Sequence, residues 1–157
     1  TIRGKNMIEH APTQTQEVFA SIFILANRMQ TVGNLLQEEV TMKQYMLITL
    51  LQASSEPSNL SELAVKLGCS RQNIKKLAQS LAKNDYVQFH SGKQNAVWLE
   101  LTEKAWACKT RNQEIETSAL KLLFQSFEEN EISQLQTLLG KLALGVTHIE
   151  NQIKDRK

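Results

Sequence analysis

The sequence predicts a mainly α-helical protein with one small β-hairpin and two long helices near its ends. Three observations support this fold class. Only 6 glycines and 2 prolines occur among 157 residues, so little of the chain is suited to long loops. Apolar residues recur every three or four positions through most of the chain, which is the helical spacing. The alternation typical of strands occurs between about residues 86 and 101.

The composition is that of an ordinary globular protein. Hydrophobic residues make up 41% and charged residues 22%, with a formal net charge of +2, so we expect one domain over residues 1–157. The longest apolar run, residues 22–26, is too short to cross a membrane. Residues 1–10 contain Arg3 and Lys5 but no apolar run of a signal peptide. We therefore expect a cytoplasmic protein without a membrane partner.

Two long amphipathic helices are predicted at residues 14–36 and 131–153. Apolar positions of the first step by four and three: Val18, Ile22, Leu25, Met29, Val32 and Leu36. The second repeats the spacing more strictly: Ile132, Leu135, Leu139, Leu142, Val146, Ile149 and Ile153. Asn130 is its predicted N-cap. Such narrow apolar faces pack either on their own chain or on a second subunit, and we expect dimerisation helices of a homodimer.

A helix-turn-helix is predicted between the two long helices. A short helix over residues 41–51 precedes helices at residues 59–67 and 70–83. Asn59 and Glu62 have the spacing of a capping box, and Ser70 is placed to cap the next helix. Gly68 is placed for the left-handed residue that ends a helix. Two helices joined by residues 68–70 form a helix-turn-helix.

The strand-like segment follows the helix-turn-helix directly. Residues 86–89 and 96–101 flank the polar residues 91–95, which indicates a β-hairpin. Thr102 is placed to cap a long helix that runs to about Phe127. A helix-turn-helix followed by a hairpin is a winged helix. We therefore predict a DNA-binding lobe over about residues 41–101, flanked by the two dimerisation helices.

Positive charge is concentrated in the predicted helix-turn-helix. Residues 63–84 contain no acidic residue, while the rest of the chain holds 13 basic and 16 acidic residues. The five basic residues are Lys66, Arg71, Lys75, Lys76 and Lys83. A run of charge is often only a solvated helix face. Because this one falls on the second helix of a helix-turn-helix, it favours binding of double-stranded DNA.

The exposed side chains of this second helix are of the types that contact DNA. Glutamine and asparagine can pair with adenine, and arginine and lysine with guanine or phosphate. We expect Gln72, Asn73 and Lys76 to read base edges, with Arg71, Lys75 and Lys83 on phosphates. The full set of candidate DNA contacts is Asn59, Ser61, Ser70, Arg71, Gln72, Asn73, Lys75, Lys76, Gln79 and Lys83, together with Lys93, Gln94 and Asn95 at the hairpin tip.

The predicted winged helix resembles the MarR (multiple antibiotic resistance regulator) family of winged-helix regulators. The resemblance is carried by the segments Leu60–Ser70 and Leu99–Lys104 and by the helix between them, which contains Ile74, Leu77 and Leu81. The resemblance covers about residues 41–111 by motif and the whole chain by helix order. It implies a homodimer held by its terminal helices, with two DNA-binding lobes on a pseudo-palindromic operator. Members often repress transcription and release DNA on binding a small phenolic or other ligand, or on cysteine oxidation.

The chain departs from the family pattern in its wing. Family members usually carry an Asp-Arg-Arg-Ala run there, with an arginine that contacts DNA; the matching positions here are Lys93, Gln94, Asn95 and Ala96. Neither the Asp–Arg brace nor the arginine contact therefore carries over. Family members usually have a glycine after the second helix of the helix-turn-helix, where this chain has Asp85. They usually have another glycine after a Leu-Thr-x-x run, where this chain has Ala105. We expect a divergent member of the family.

An effector and a redox response are further expectations. In the resembling family, ligands often lie between the DNA-binding lobe and the dimer helices, where Met29, Tyr45, Met46 and Trp106 are either lining residues or core. Cys69, in the predicted turn, is either a small packed residue or a thiol whose reactivity regulates DNA binding.

We expect no cofactor and no metal site, because the three histidines lie far apart and lack convergent ligands. No nucleophile motif or phosphate-binding loop indicates an enzyme. The near-neutral charge and the missing wing arginine leave one alternative to DNA binding. It is a protein–protein interaction module on a winged-helix scaffold.

Overall fold

The computed structural model describes residues 11–93 and 96–156. In this part of the chain the elements are α1 (Gln14–Leu36), α2 (Met42–Ala53), β1 (Ser58–Asn59), α3 (Leu60–Leu67), α4 (Arg71–Lys83), β2 (Val87–Ser91), β3 (Val97–Leu101), α5 (Glu103–Leu123) and α6 (Glu129–Lys154). The predicted fold class, mainly helical with a small hairpin, is confirmed. The candidate DNA contacts Gln94 and Asn95 lie outside the described residues.

The chain divides into two compact units after Asn112. The first unit contains α1 to α4, the three strands and the first half of α5. The second contains the remainder of α5 and all of α6. The helix-turn-helix and its wing therefore lie within the first unit.

Local capping explains where the helices of the first unit begin. Thr41 caps α2 and Asn59 caps α3, each accepting a hydrogen bond from the backbone N–H three residues ahead. Asn59 Oδ1, for example, accepts from the Glu62 N–H at 2.9 Å. Gly68 ends α3 in the left-handed conformation with φ of 65°, where a residue without Cβ is favoured. The predicted cap at Asn59 and the predicted left-handed Gly68 are confirmed.

The hydrophobic core of the first unit lies where α2, α3, α4, β3 and α5 meet. Its largest fully buried side chains are Leu47, Ile48, Leu63, Ile74, Leu81, Leu99 and Cys108. Burial of a side chain such as leucine or isoleucine contributes roughly 1.5–3 kcal/mol. This core sets the orientation of α4 and of the hairpin, which carry the candidate DNA contacts.

The sheet has three antiparallel strands in the order β1-β3-β2, so β3 is central. Val87 to Ser91 pair with Leu101 to Val97, as expected for the predicted hairpin. On the other edge of β3, Ser58 pairs with Leu99 and Asn59 with Trp98. Strand β1 was not predicted, because two residues are too few to show any alternation.

Two predicted helix ends are wrong. Asn130 is not the N-cap of α6: the helix begins at Glu129, because the Glu131 carboxylate accepts from the Glu128 N–H at 2.8 Å. Helix α5 ends at Leu123 rather than near Phe127. The chain turns over residues 124–126, and the rings of Phe124 and Phe127 pack edge to face at 5.5 Å.

Helices α1 and α6 contain no buried residue, although both are rich in apolar side chains. The exposed large apolar residues of α1 are Val18, Phe19, Ile22, Phe23, Ile24, Leu25, Met29, Val32, Leu35 and Leu36. Those of α6 are Ile132, Leu138, Leu139, Leu142, Leu144, Val146, Ile149 and Ile153. Among the described residues, no helix is long and apolar enough to cross a membrane.

Substitutions at Asp85 test the conformation of the turn that follows α4. The Asp85 φ of 61° lies in the left-handed region, which costs a residue with a Cβ about 1–2 kcal/mol relative to glycine, and less for aspartate. We expect Asp85→Gly to raise the free energy of unfolding and Asp85→Ala to lower it, in urea titrations at one fixed protein concentration. Equal stability of the two variants would contradict this reading of the turn.

Candidate nucleic-acid interface

Helix α4 is held in the first unit by a narrow apolar stripe. Ile74, Ala78 and Leu81 are buried, four and then three residues apart, which places them on one side of the helix. The opposite side is exposed. Its side chains are the predicted DNA contacts of the helix: Arg71, Gln72, Asn73, Lys75, Lys76, Gln79 and Lys83.

Polar contacts at both ends of α4 fix its position. Ser70 Oγ accepts from the Asn73 N–H at 3.1 Å and so caps the helix, as predicted. Near the other end, Gln44 Nε2 of α2 donates to Ser80 Oγ at 2.9 Å. Ser70 and Asn59 thus both serve as helix caps, and their contact with DNA stays a prediction. Ser61 is exposed in the first turn of α3.

The cations of α4 differ from those of α5. Among the described residues, no ion pair involves the lysines or the arginine of α4. In α5, by contrast, Lys104 Nζ donates to the Asn84 carbonyl at 2.8 Å, and Lys109 Nζ donates to the Tyr45 hydroxyl at 3.0 Å. The two ammonium groups also lie over tyrosine rings, 4.6 and 4.4 Å from the ring centroids. Lys104 and Lys109 of α5 thus bind oxygen atoms of the first unit, whereas the cations of α4 face outward.

A groove of about 810 Å³ separates α4 from the hairpin. Its lining combines three apolar side chains with polar ones, two of which are cationic. Its lining residues are Leu60, Arg71, Gln72, Lys75, Gln79, Phe89, Ser91 and Val97. The structure therefore brings together four of the predicted DNA contacts from α4 and the first residues of the wing.

The wing is closed by backbone hydrogen bonds. The Gly92 N–H donates to the Ala96 carbonyl at 2.6 Å, and the Ala96 N–H to the Lys93 carbonyl at 3.3 Å. Lys93 is exposed. On the outer face of the hairpin, His90 Nε2 lies 2.8 Å from Glu100 Oε2.

A second cavity, of about 480 Å³, lies among α1, α2 and α4. Its lining residues are Gln30, Met42, Lys43, Met46, Leu67, Cys69, Asn73, Lys76 and Leu77. Of the four predicted effector residues, Met46 lies here. Tyr45 is buried in the core and bonded to Lys109, whereas Met29 and Trp106 are 48% and 46% exposed and do not line the cavity.

The two cysteines occupy different environments. Cys69 is half-buried and lines the cavity among α1, α2 and α4, next to the first turn of α4. Cys108 is fully buried in the core, and burial raises the pKa of its thiol. Among the described residues there is no group of three or more histidine, cysteine or acidic side chains that could hold a metal ion.

A cluster that the sequence analysis missed joins the α1–α2 connection to α5. Arg111 Nε and one terminal nitrogen donate to the two carboxylate oxygens of Glu39 at 3.0 and 2.7 Å. The Tyr86 hydroxyl donates to the same carboxylate at 3.1 Å. Hydrogen bonds from Arg111 lower the pKa of Glu39. Burial, and then the neighbouring Glu39, raise the pKa of Tyr86 to about 12.

Solved structures of regulators with this architecture are similar to most of this chain. A MarR/EmrR family transcriptional regulator from Acinetobacter sp. ADP1 superposes with a TM-score of 0.78 at 20% identity, covering 87% of this chain and 99% of that one. A MarR protein from Peptoclostridium difficile superposes with a TM-score of 0.77 at 22% identity, covering 92% and 95%. The PcaV transcriptional regulator from Streptomyces coelicolor, in complex with its natural ligand, has a TM-score of 0.68 at 18% identity, covering 85% and 97%.

These similarities establish the fold of the MarR-family transcriptional regulators for this chain. No family model matches the sequence, and no curated protein matches it. The fold predicted from the resemblance is confirmed, while the individual DNA contacts stay predictions.

Glu39 provides a pH test of the missed cluster. Since folding lowers the pKa of this carboxyl below its ordinary value of 4.5, the stability it contributes is present above that pH. That stability is lost as the pH falls through the folded-state pKa. We expect Glu39→Gln to lower the free energy of unfolding at neutral pH, with a difference from the wild type that shrinks below about pH 4.5.

The matched control is Glu38→Gln, at the neighbouring exposed carboxylate. Its stability is expected to follow the wild type in urea titrations. A Glu39→Gln difference that does not change between neutral and acidic pH would contradict the role of Arg111.

Proposed function

We propose that this chain, which has the fold of the MarR-family regulators, is a sequence-specific double-stranded DNA-binding transcriptional regulator. The observation that carries the proposal is the outward face of α4. Its arginine and lysines have no ion-pair partner among the described residues, and its glutamines and asparagine are exposed beside them. A helix with this face, presented by a winged helix-turn-helix, matches the major groove in shape and in charge.

The homodimer part of the proposal rests on α1 and α6. Each leaves a row of large apolar side chains exposed, and such patches on a protein surface mark interaction sites. Pairing with a second copy would cover these rows and relate two α4 helices by a two-fold axis. The operator is then pseudo-palindromic, with half-sites about one helical turn apart, roughly 34–36 Å.

Individual roles follow from the positions on α4. In the proposal, Gln72, Asn73 and Lys76 read base edges, because the first turns of a recognition helix face the bases. Arg71 and Lys75, which line the groove beside the wing, are proposed to contact phosphates. Lys83, at the end of α4, is proposed to make a further phosphate contact. Gln79 and Ser61 are additional polar contacts, and Lys93 contacts DNA from the wing.

The regulation we propose is ligand- or redox-responsive repression through the cavity among α1, α2 and α4. Asn73 and Lys76, two of the three proposed base readers, also line this cavity. A small molecule bound there would draw these side chains away from DNA. The cavity favours an apolar molecule with an anionic group, because its lining includes Met42 and Met46 together with Lys43 and Lys76. Oxidation of Cys69 would change the same wall.

Charge reversal at Lys76 tests the proposed recognition helix. We expect Lys76→Glu to abolish binding to duplexes selected from a random pool, because an acid at this position repels the phosphates and cannot pair with guanine. The control is Lys121→Glu, the same change at an exposed position of α5. Size-exclusion chromatography should show both variants as dimers. Unchanged affinity of Lys76→Glu would mean that α4 is not the recognition helix.

The salt dependence of binding separates a DNA-binding regulator from a protein-interaction module. If each subunit neutralises four phosphates, the plot of log affinity against log salt has a slope of about −7 for the dimer. The measurement is fluorescence anisotropy of a labelled duplex over a series of salt concentrations. Absent or salt-insensitive binding would favour the interaction module.

Cys69→Ser tests the redox part of the proposal. Oxidation adds polar oxygen atoms to a half-buried side chain at the start of α4, so we expect peroxide to weaken DNA binding of the wild type. The Cys69→Ser variant should bind DNA equally with and without peroxide. Cys108 stays in place as an internal control, because it is fully buried. A wild-type protein that is indifferent to peroxide contradicts the redox response.

A further inference from the structure

The outer face of the small sheet carries one large aromatic side chain, Trp98. It lies on β3, the central strand, and is paired with Asn59 of β1 on one side and His90 of β2 on the other. Asn59 is also the N-cap of α3. β1 leads into the helix-turn-helix, and β2 leads into the wing. Trp98 therefore lies where both strands pair with β3.

The Trp98 indole packs against Gly92, the first residue after β2. A Cβ added at Gly92 would lie 2.9 Å from Trp98 Cδ1 and nearer still to Nε1, which is closer than real Cβ atoms approach other atoms. The same glycine donates its N–H to the Ala96 carbonyl, closing the hairpin immediately before Lys93. Only a residue without a side chain allows the indole to cover the backbone at this point.

Other contacts on this face are weaker. The His90–Glu100 pair joins side chains that are 48% and 59% exposed, and ion pairs in such positions contribute little to stability. A packed aromatic ring removes up to about 150–250 Å² of apolar surface from water and restricts the backbone beneath it. Among the described residues of the wing, the indole is therefore the main side-chain constraint on the outer face.

We propose that the packing of Trp98 on Gly92 fixes the direction of the wing and so positions Lys93 for its contact with DNA. This inference rests on the proposed function, because it assigns the wing a phosphate contact. Trp98 acts through the backbone of Gly92 and Lys93, as a positioning residue that does not itself touch DNA.

The experiment uses the full chain with Trp106→Phe, which leaves Trp98 as its only tryptophan. Gly92→Ala, Lys93→Ala and the double variant are compared in binding to a random-sequence duplex over a series of salt concentrations. Each single change should make the log–log slope less steep by about 2 for the dimer, since one phosphate contact is lost per subunit. The double variant should equal either single variant, because both remove the same contact.

The control is Ser55→Ala, an uncharged change at an exposed position between α2 and β1 that the proposed function does not use. Its slope should equal that of the parent. Slope changes that add in the double variant would overturn the proposal, because they would mean that Lys93 binds DNA independently of the packing at Gly92.

A second measurement needs no DNA. Acrylamide quenching of Trp98 fluorescence should increase in Gly92→Ala, because the displaced indole is more accessible to solvent, and it should stay unchanged in Ser55→Ala. Unchanged quenching in Gly92→Ala overturns the packing itself. Absence of duplex binding by the parent overturns the proposed function and the role of Lys93, and the quenching result then decides the packing alone.

If Gly92→Ala does not fold, Trp98→Phe and Trp98→Ala replace it in the binding experiment. Phenylalanine keeps an aromatic ring against Gly92 and should retain the parent slope, whereas alanine should show the slope of Lys93→Ala. Equal slopes for Trp98→Phe and Trp98→Ala would overturn the positioning role.

Discussion

The burial of one narrow side of α4 determines which side chains the first unit presents to solvent. Ile74, Ala78 and Leu81 pack into the core, so every charged residue of the helix is turned outward. The +2 charge of the whole chain conceals this arrangement, because the acidic excess lies in the remaining segments. The cationic face of α4 is thus a consequence of core packing together with the absence of acids between residues 63 and 84.

Three cations of α5 are used in contacts within the first unit. Lys104 and Lys109 bind carbonyl and hydroxyl oxygens of the lobe, and Arg111 pairs with Glu39. Each of these contacts uses a charge to join α5 to the end of α4, to α2 or to the α1–α2 connection.

Most helices and their caps could be predicted because their causes are local. Asn59, Gly68 and Ser70 act on backbone groups within a few residues, and the apolar spacing of α4 identifies its buried side. The pairing of Ser58 with Leu99 and the cluster of Glu39, Tyr86 and Arg111 join residues 41, 47 and 72 positions apart. No local pattern signals such contacts. The start of α6 was missed because Glu131 competes with Asn130 as the capping side chain.

The central claim is that a symmetric pair of α4 helices reads two neighbouring segments of major groove. Hydroxyl-radical footprinting of the full chain on a fragment selected from random DNA tests this directly. The account predicts two protected regions related by a two-fold axis, with centres about one helical turn apart, roughly 34–36 Å. A single protected region, or uniform protection without a centre of symmetry, would contradict it.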